Sequence, residues 1–346
     1  MVEEYGRLAE MMRQQRDEAR ALEYGETFAS RTAQLKGDSH PETLQAKLRV
    51  AQTRNVLDRG QDTEHNLANM RAVVEAAEAE GQKETLAKGQ RLLASTLFVR
   101  GKPEEALQIY SRLVPLSVEV FGANDYFTVE VQAQLGVLLG TLGRHDEALG
   151  VLRGVREASQ KDAYFKTRYD VMVARQQLAR SAAARDQLSE AIEVLVEMEQ
   201  HLDEEMARVG EHDQLHPGLL DIKTSNLVDL GMLLFRQALL EDALLRLESA
   251  KTLLERQGST ETYLYGRACI GVVFTLFSMD KIDEGKQSLV SFQALIEDKP
   301  QMAQEFMPTV RDILREIEVH DQMLKEEAQT GDPEAAESGS TQGRKK

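Results

Sequence analysis

The chain has 346 residues, a formal charge of −16, 29% charged residues, 7 prolines, 1 cysteine and no tryptophan. So acidic a balance excludes general affinity for nucleic acid or an anionic membrane, because both need a positive footprint. The lone Cys269 excludes an internal disulfide framework and fits a reducing compartment.

Abundant Ala, Leu, Glu, Arg and Gln with few prolines favour helix throughout, and no alternating β-branched run argues for a strand. Met1-Val2-Glu3-Glu4-Tyr5 lacks the basic and apolar regions of a secretory signal. The most apolar run, Cys269 to Phe277, falls far short of the roughly 20 residues that span a bilayer. The expectation is a cytoplasmic protein without membrane insertion, with cytoskeletal association as a further option.

Helical periodicity predicts hairpins at about 2–35, 43–80, 84–121, 126–160, 164–208, 221–257 and 261–297. Gly37 to Pro41, Gly122 to Asp125 and Gly210 to Gly218 punctuate them, since Gly ends a helix and Pro starts the next. A further amphipathic segment, Met302 to Leu324, carries Phe306, Val310, Ile313, Leu314, Ile317 and Leu324 at three- and four-residue spacing, so it is expected to cap the last hairpin. The expected organisation is a repeat array over 1–297, a capping helix over 301–325 and a disordered tail over 326–346, poor in apolar residues. A continuous array of this kind reads as one cooperative unit with no internal boundary.

A phrase recurs along the chain: Leu93-Ala94 leads to Glu104-Glu105-Ala106-Leu107, Leu135-Gly136 to Asp146-Glu147-Ala148-Leu149, and Leu230-Gly231 to Glu241-Asp242-Ala243-Leu244. Extended outward, the small residue opening each second helix gives Ala21, His65, Ala106, Ala148, Ala191, Ala243 and Gly285, with a period of about 42. One interval, Ala191 to Ala243, is longer and places an insertion around Glu199 to Pro217, expected to project from the stack. The small residues Ala9, Ala94, Gly136, Ala179 and Gly231 let paired helices approach closely. The second copy reads as degenerate, with Gln52-Thr53 and His65 at the marker positions, and the last, with Val272-Val273 and Gly285, as terminal.

This helix–turn–helix unit resembles the tetratricopeptide repeat. The linker Gly37-Asp38-Ser39-His40-Pro41-Glu42-Thr43-Leu44 is similar to the phrase between repeats of the kinesin light chain type, and His216-Pro217-Gly218-Leu219-Leu220 and Phe121 to Thr128 echo it. No long heptad coiled coil precedes the repeats, and the paired Asn of that family survives only as Asn226-Leu227. The resemblance implies an all-α, right-handed α-solenoid of about seven hairpins with a C-terminal capping helix, and a non-catalytic scaffold or adaptor that recognises a protein or peptide on the concave face. The alternatives are a fixed structural subunit of a larger cytoskeletal or ciliary assembly and a regulatory subunit of an enzyme system.

If the first helix of each hairpin lines the groove, its non-packing positions give Lys47, Arg54, Lys88, Arg91, Arg180, Arg236 and Arg267, against Glu3, Glu10, Asp58 and Glu130. Guanidinium groups offer paired donors to carboxylates, so this line predicts an acidic, extended or helical partner segment. Phe98, Phe235, Phe274 and Phe277 are expected on or near the same surface as apolar anchors. The competing reading has these cations paired with acids of neighbouring helices and the phenylalanines in the core.

Other chemistry finds little footing. Arg91, Ala133, Val137 and Gln176 stand where a two-carboxylate clamp needs Lys and Asn. His212 and His216 share a linker without a third metal ligand, and His40 and His145 read as cap or turn residues. Cys269 lacks a nearby cation, and Gly136, Gly140 and Gly143 form no phosphate-binding fingerprint. No catalytic residue, metal site or cofactor is expected.

Overall fold

The computed structural model describes residues 2–57, 63–209 and 217–330, and among these every regular element is helical. The first two hairpins are α1 (Val2–Gln14) with α2 (Glu18–Lys36) and α3 (Pro41–Leu57) with α4 (Thr63–Ala79). They are followed by α5 (Lys83–Val99) with α6 (Pro103–Phe121) and α7 (Tyr126–Thr141) with α8 (His145–Lys161). A four-residue α9 (Ala163–Lys166) precedes α10 (Tyr169–Ala184) and α11 (Leu188–Val209). Then come α12 (Pro217–Arg236) with α13 (Leu240–Arg256), α14 (Tyr263–Ser278) with α15 (Ile282–Ile296), and the long α16 (Pro300–Thr330).

The turns inside the hairpins share one backbone solution. In each of the six described ones a residue adopts positive φ: Arg16, Gly101, Gly143, Asp186, Ala238 and Asp280. The next amide reaches back to a carbonyl five residues earlier, as in Arg144 N to Leu139 O at 2.9 Å and Leu239 N to Leu234 O at 3.0 Å. That bond satisfies a carbonyl the helix end leaves open, so the chain reverses within a few residues.

Close helix approach follows from the small residues. A Cβ built on Gly136 would lie 2.3 Å from Leu152 Cδ2, and Leu152 is itself 1% exposed. Burial along the second helices then sets their alignment: the close-packing position is Ala21, Asn66, Ala106, Ala148, Ala191, Ala243 and Gly285. In the second copy the position belongs to Asn66, because His65 is exposed. Its first helix shifts likewise: Val50-Ala51 are buried while Gln52 is exposed. Thr53 donates to Arg49 O as Thr96 donates to Leu92 O in the following copy, which confirms a 43-residue offset.

Contacts divide the chain into two compact units, Met1–Ile222 and Lys223–Lys346. In the first, Leu44, Leu48, Val73 and Ala77 form one apolar cluster and Ala29, Ala46 and Val50 another. In the second, Phe306, Val310 and Ile313 of α16 pack onto Tyr265, Cys269, Val273, Phe292 and Ile296, which makes α16 the cover of the last hairpin. Helix α16 runs on to Thr330, beyond the apolar stripe; residues 331–346 of the expected tail lie outside the described residues. Part of the long interval is taken up by the 22-residue α11, whose Leu202 is still buried, while 210–216, with His212 and His216, also lie outside them.

Candidate partner-binding face

In the first unit, α3, α5 and α7 share a face opposite their paired second helices. A recess of about 230 Å³ there is lined by Gln45, Arg49, Lys88, Arg91, Leu92 and Phe127 among others. The one-turn spacing of Gln45, Arg49 and Gln52 on α3 and of Lys88 from Arg91 and Leu92 on α5 puts these side chains on one stripe of each helix.

The three cations of the recess differ in their freedom. Arg91 Nη1 donates to Glu130 Oε1 at 2.7 Å and its guanidinium lies 5.7 Å from the centre of the Phe127 ring. Lys88 pairs with Glu84 one turn earlier on its own helix. Arg49 is exposed, and its side chain makes no ion pair or hydrogen bond among the described residues.

Arg91 is held by a chain of contacts reaching the core. Tyr110 Oη donates to Gln134 Oε1 at 2.5 Å, and Gln134 Nε2 donates to Glu130 Oε1 at 3.2 Å. Burial pushes the Glu130 carboxyl above its ordinary range; Arg91 opposes the shift and Asp170 adds to it. Burial likewise raises the Tyr110 and Tyr126 hydroxyls, so both are neutral donors.

The N-terminal edge of α7 and α10 carries an aromatic group that the sequence reading did not single out. Tyr126, Tyr164 and Phe165 contact one another with ring centres 5.6 to 6.2 Å apart. The Arg168 guanidinium lies 4.4 Å from the Tyr126 ring centre and donates to its hydroxyl at 2.6 Å, while Tyr126 Oη also meets Asp170 at 3.1 Å. Tyr164 and Tyr169 are each 53% exposed. The short α9 makes this edge.

The expected basic line is thereby split. Lys88 and Arg91 stand on the shared face, but Lys47 and Arg54 point to the opposite side of α3, where Lys47 pairs with Asp38 at 2.8 Å and Arg54 with Glu26 at 2.6 Å. Arg180 on α10 and Arg236 on α12 are exposed. In the second unit Arg267 on α14 pairs with the buried Asp229 of α12 at 3.0 Å. Phe98, Phe235 and Phe277 are half-buried, and Phe277 packs against the last core cluster; Phe274 is 36% exposed. Arg49 and Phe127 stand on the face where Lys47 and Arg54 were expected.

The remaining candidates are local. His40 Nδ1 accepts from Glu42 N at 3.3 Å and His145 Nδ1 lies 3.4 Å from Ser181 Oγ, both beside turns. Cys269 is buried, and burial pushes its thiol up to about 11, which leaves it protonated and unreactive. Among the described residues no helix is long and apolar enough to cross a membrane.

Comparison with known proteins bears on the repeat fold. Residues 85–161, the third and fourth hairpins, match the tetratricopeptide repeat family. Comparison with curated proteins finds no match. Among solved structures, the apo form of RapI aligns with a TM-score of 0.61 at 8% identity, over 88% of this chain and 79% of that one. BtubC (BKLC) from P. vanneervenii aligns at 0.54 and 16% identity, over 71% and 91% of the two chains. A Podosopora anserina protein described as a kinesin light chain, with nearly identical TPR-like repeats, aligns at 0.48 and 18% identity, over 62% and 96%. Residues 85–161 thus carry tetratricopeptide repeats, and the aligned structures share the helical-repeat fold of the chain.

Proposed function

We propose that the protein is a non-catalytic adaptor that holds an acidic, extended or helical segment of a partner protein on the face shared by α3, α5 and α7. The observation that carries this reading is the exposed Arg49, unengaged beside Lys88, Arg91 and Phe127 around one recess. An unengaged guanidinium binds a carboxylate without first breaking an ion pair, and the neighbouring ring offers an apolar anchor. Arg91, already clasped by Glu130, acts as a positioned wall of the recess.

The reading is tested by affinity capture and mass spectrometry with wild type and the double variant Arg49→Glu, Lys88→Glu. Both side chains are solvent-facing, so circular dichroism should be unchanged while the principal partners are lost. Recovery of the same partners by the folded variant would sink the proposal.

A further inference from the structure

A second recess lies on the other side of α3, away from the partner face. It is a cavity of about 430 Å³ between α2, α3 and α4, with Leu44, Val50, Ala51 and Val73 among its apolar lining. Its rim carries the ion pairs Lys47–Asp38 and Arg54–Glu26, so each charge there already has a counter-charge.

The aligned hairpins show why the space exists. Three residues after the close-packing position, α6, α8 and α11 place Ile109, Val151 and Val194, whereas α4 places Asn69. Ten residues after it, α6, α13 and α15 place Leu116, Leu253 and Leu295, whereas α4 places Ala76. On the first helix, Leu97 of α5 and Leu139 of α7 occupy the position of Arg54. At these positions α13 has Arg246, α15 Ser288 and α8 Ala158, so each of those helices lacks one branched apolar side chain; α4 lacks it at both, with a cation on the rim beside them.

The amides left behind are incompletely used. Asn66 is 2% exposed; its Nδ2 donates to Ala51 O at 3.0 Å and Asn55 Oδ1 at 2.8 Å, but its own Oδ1 has no donor among the described residues. Asn69 makes no side-chain hydrogen bond among them either. A buried acceptor without a donor is costly, and an incoming donor removes that cost.

We infer that this cleft is a binding site for a small, uncharged, mainly apolar molecule bearing an N–H or O–H donor. Its apolar body fills the volume left open by Asn69 and Ala76, and its donor meets Asn66 Oδ1. The volume falls within the roughly 300–1,000 Å³ of ligand pockets. The balanced rim argues against a charged ligand. Bound there, the molecule touches both α2 and α4 and ties the first hairpin to the second.

Indole is a suitable probe, since it joins an apolar bicycle to one N–H donor, and the absence of Trp leaves its emission free of tryptophan background. Titration of the full chain should show saturable, blue-shifted indole emission. Benzothiophene, of similar shape without the donor, should compete about fivefold or more less well. Asn69→Ile and Ala76→Leu each install a residue used by sibling hairpins, and each should weaken indole at least about tenfold with circular dichroism unchanged. No saturable binding, equal competition by benzothiophene, or unchanged affinity in a folded variant overturns the inference; the benzothiophene comparison needs no variant. Absence of binding would leave the cleft to a protein side chain.

Discussion

Single residues carry costs that measurement can isolate. Ala238 sits at φ +58°, where five equivalent turns have Gly, Asp or Arg. A Cβ in that region costs on the order of 1 kcal/mol, only partly offset by the greater unfolded-state freedom of Gly. Ala238→Gly should therefore raise the stability of the second unit by about 0.5 kcal/mol, read as a higher urea midpoint at constant slope. Glu130 offers a test by pH. Its carboxyl is held above the ordinary range chiefly by burial, so the unfolded chain releases that proton at lower pH than the folded one. The associated stability is present in acid and lost as pH rises through the raised value. Glu130→Gln does not titrate, so wild type should lose stability relative to the variant as pH rises from the ordinary carboxylate value through the raised one. A flat or rising difference would contradict the assigned burial.

At the scale of elements, small residues decide how near two helices lie. Gly136→Ala would drive a methyl into Leu152, which is buried and cannot swing aside, so unfolding stability should fall by about 1–3 kcal/mol. Gly150, with open space around the same construction, should accept Ala without that penalty. Such packing makes the fold legible: Gly37, Gly122 and the Leu-small phrases mark helix ends and contacts that depend on local chemistry. The site was less legible because a face depends on alignment to within one residue. Treating Gln52-Thr53 as the marker in place of Val50-Ala51 shifts the stripe by two residues, or about 200° around a helix. That shift exchanges Gln45 and Gln52, which line the partner recess beside Arg49, for Lys47 and Arg54, which belong to the other recess. The Tyr126, Tyr164 and Arg168 edge was hidden for a different reason: it depends on α9, a four-residue helix without a periodic signature.

For the whole molecule, continuity of the repeat and distribution of contacts lead to different expectations. An uninterrupted array reads as one cooperative body, whereas the contacts gather into Met1–Ile222 and Lys223–Lys346. In repeat proteins stability approximates a sum of units and nearest-neighbour interfaces, so damage weakens with distance along the chain. Phe306 discriminates between the two. It is 7% exposed, stacks on Tyr263 and meets Phe292 edge-on, and its replacement by Ala should cost about 3 kcal/mol or more locally. Hydrogen exchange on Phe306→Ala should then show faster exchange across α14, α15 and α16, while α5 to α8 keep wild-type protection. Uniform acceleration through α5 to α8 would instead mean that all hairpins open together. Confined acceleration would mean that the partner face on α3, α5 and α7 stays formed when the capping helix lets go.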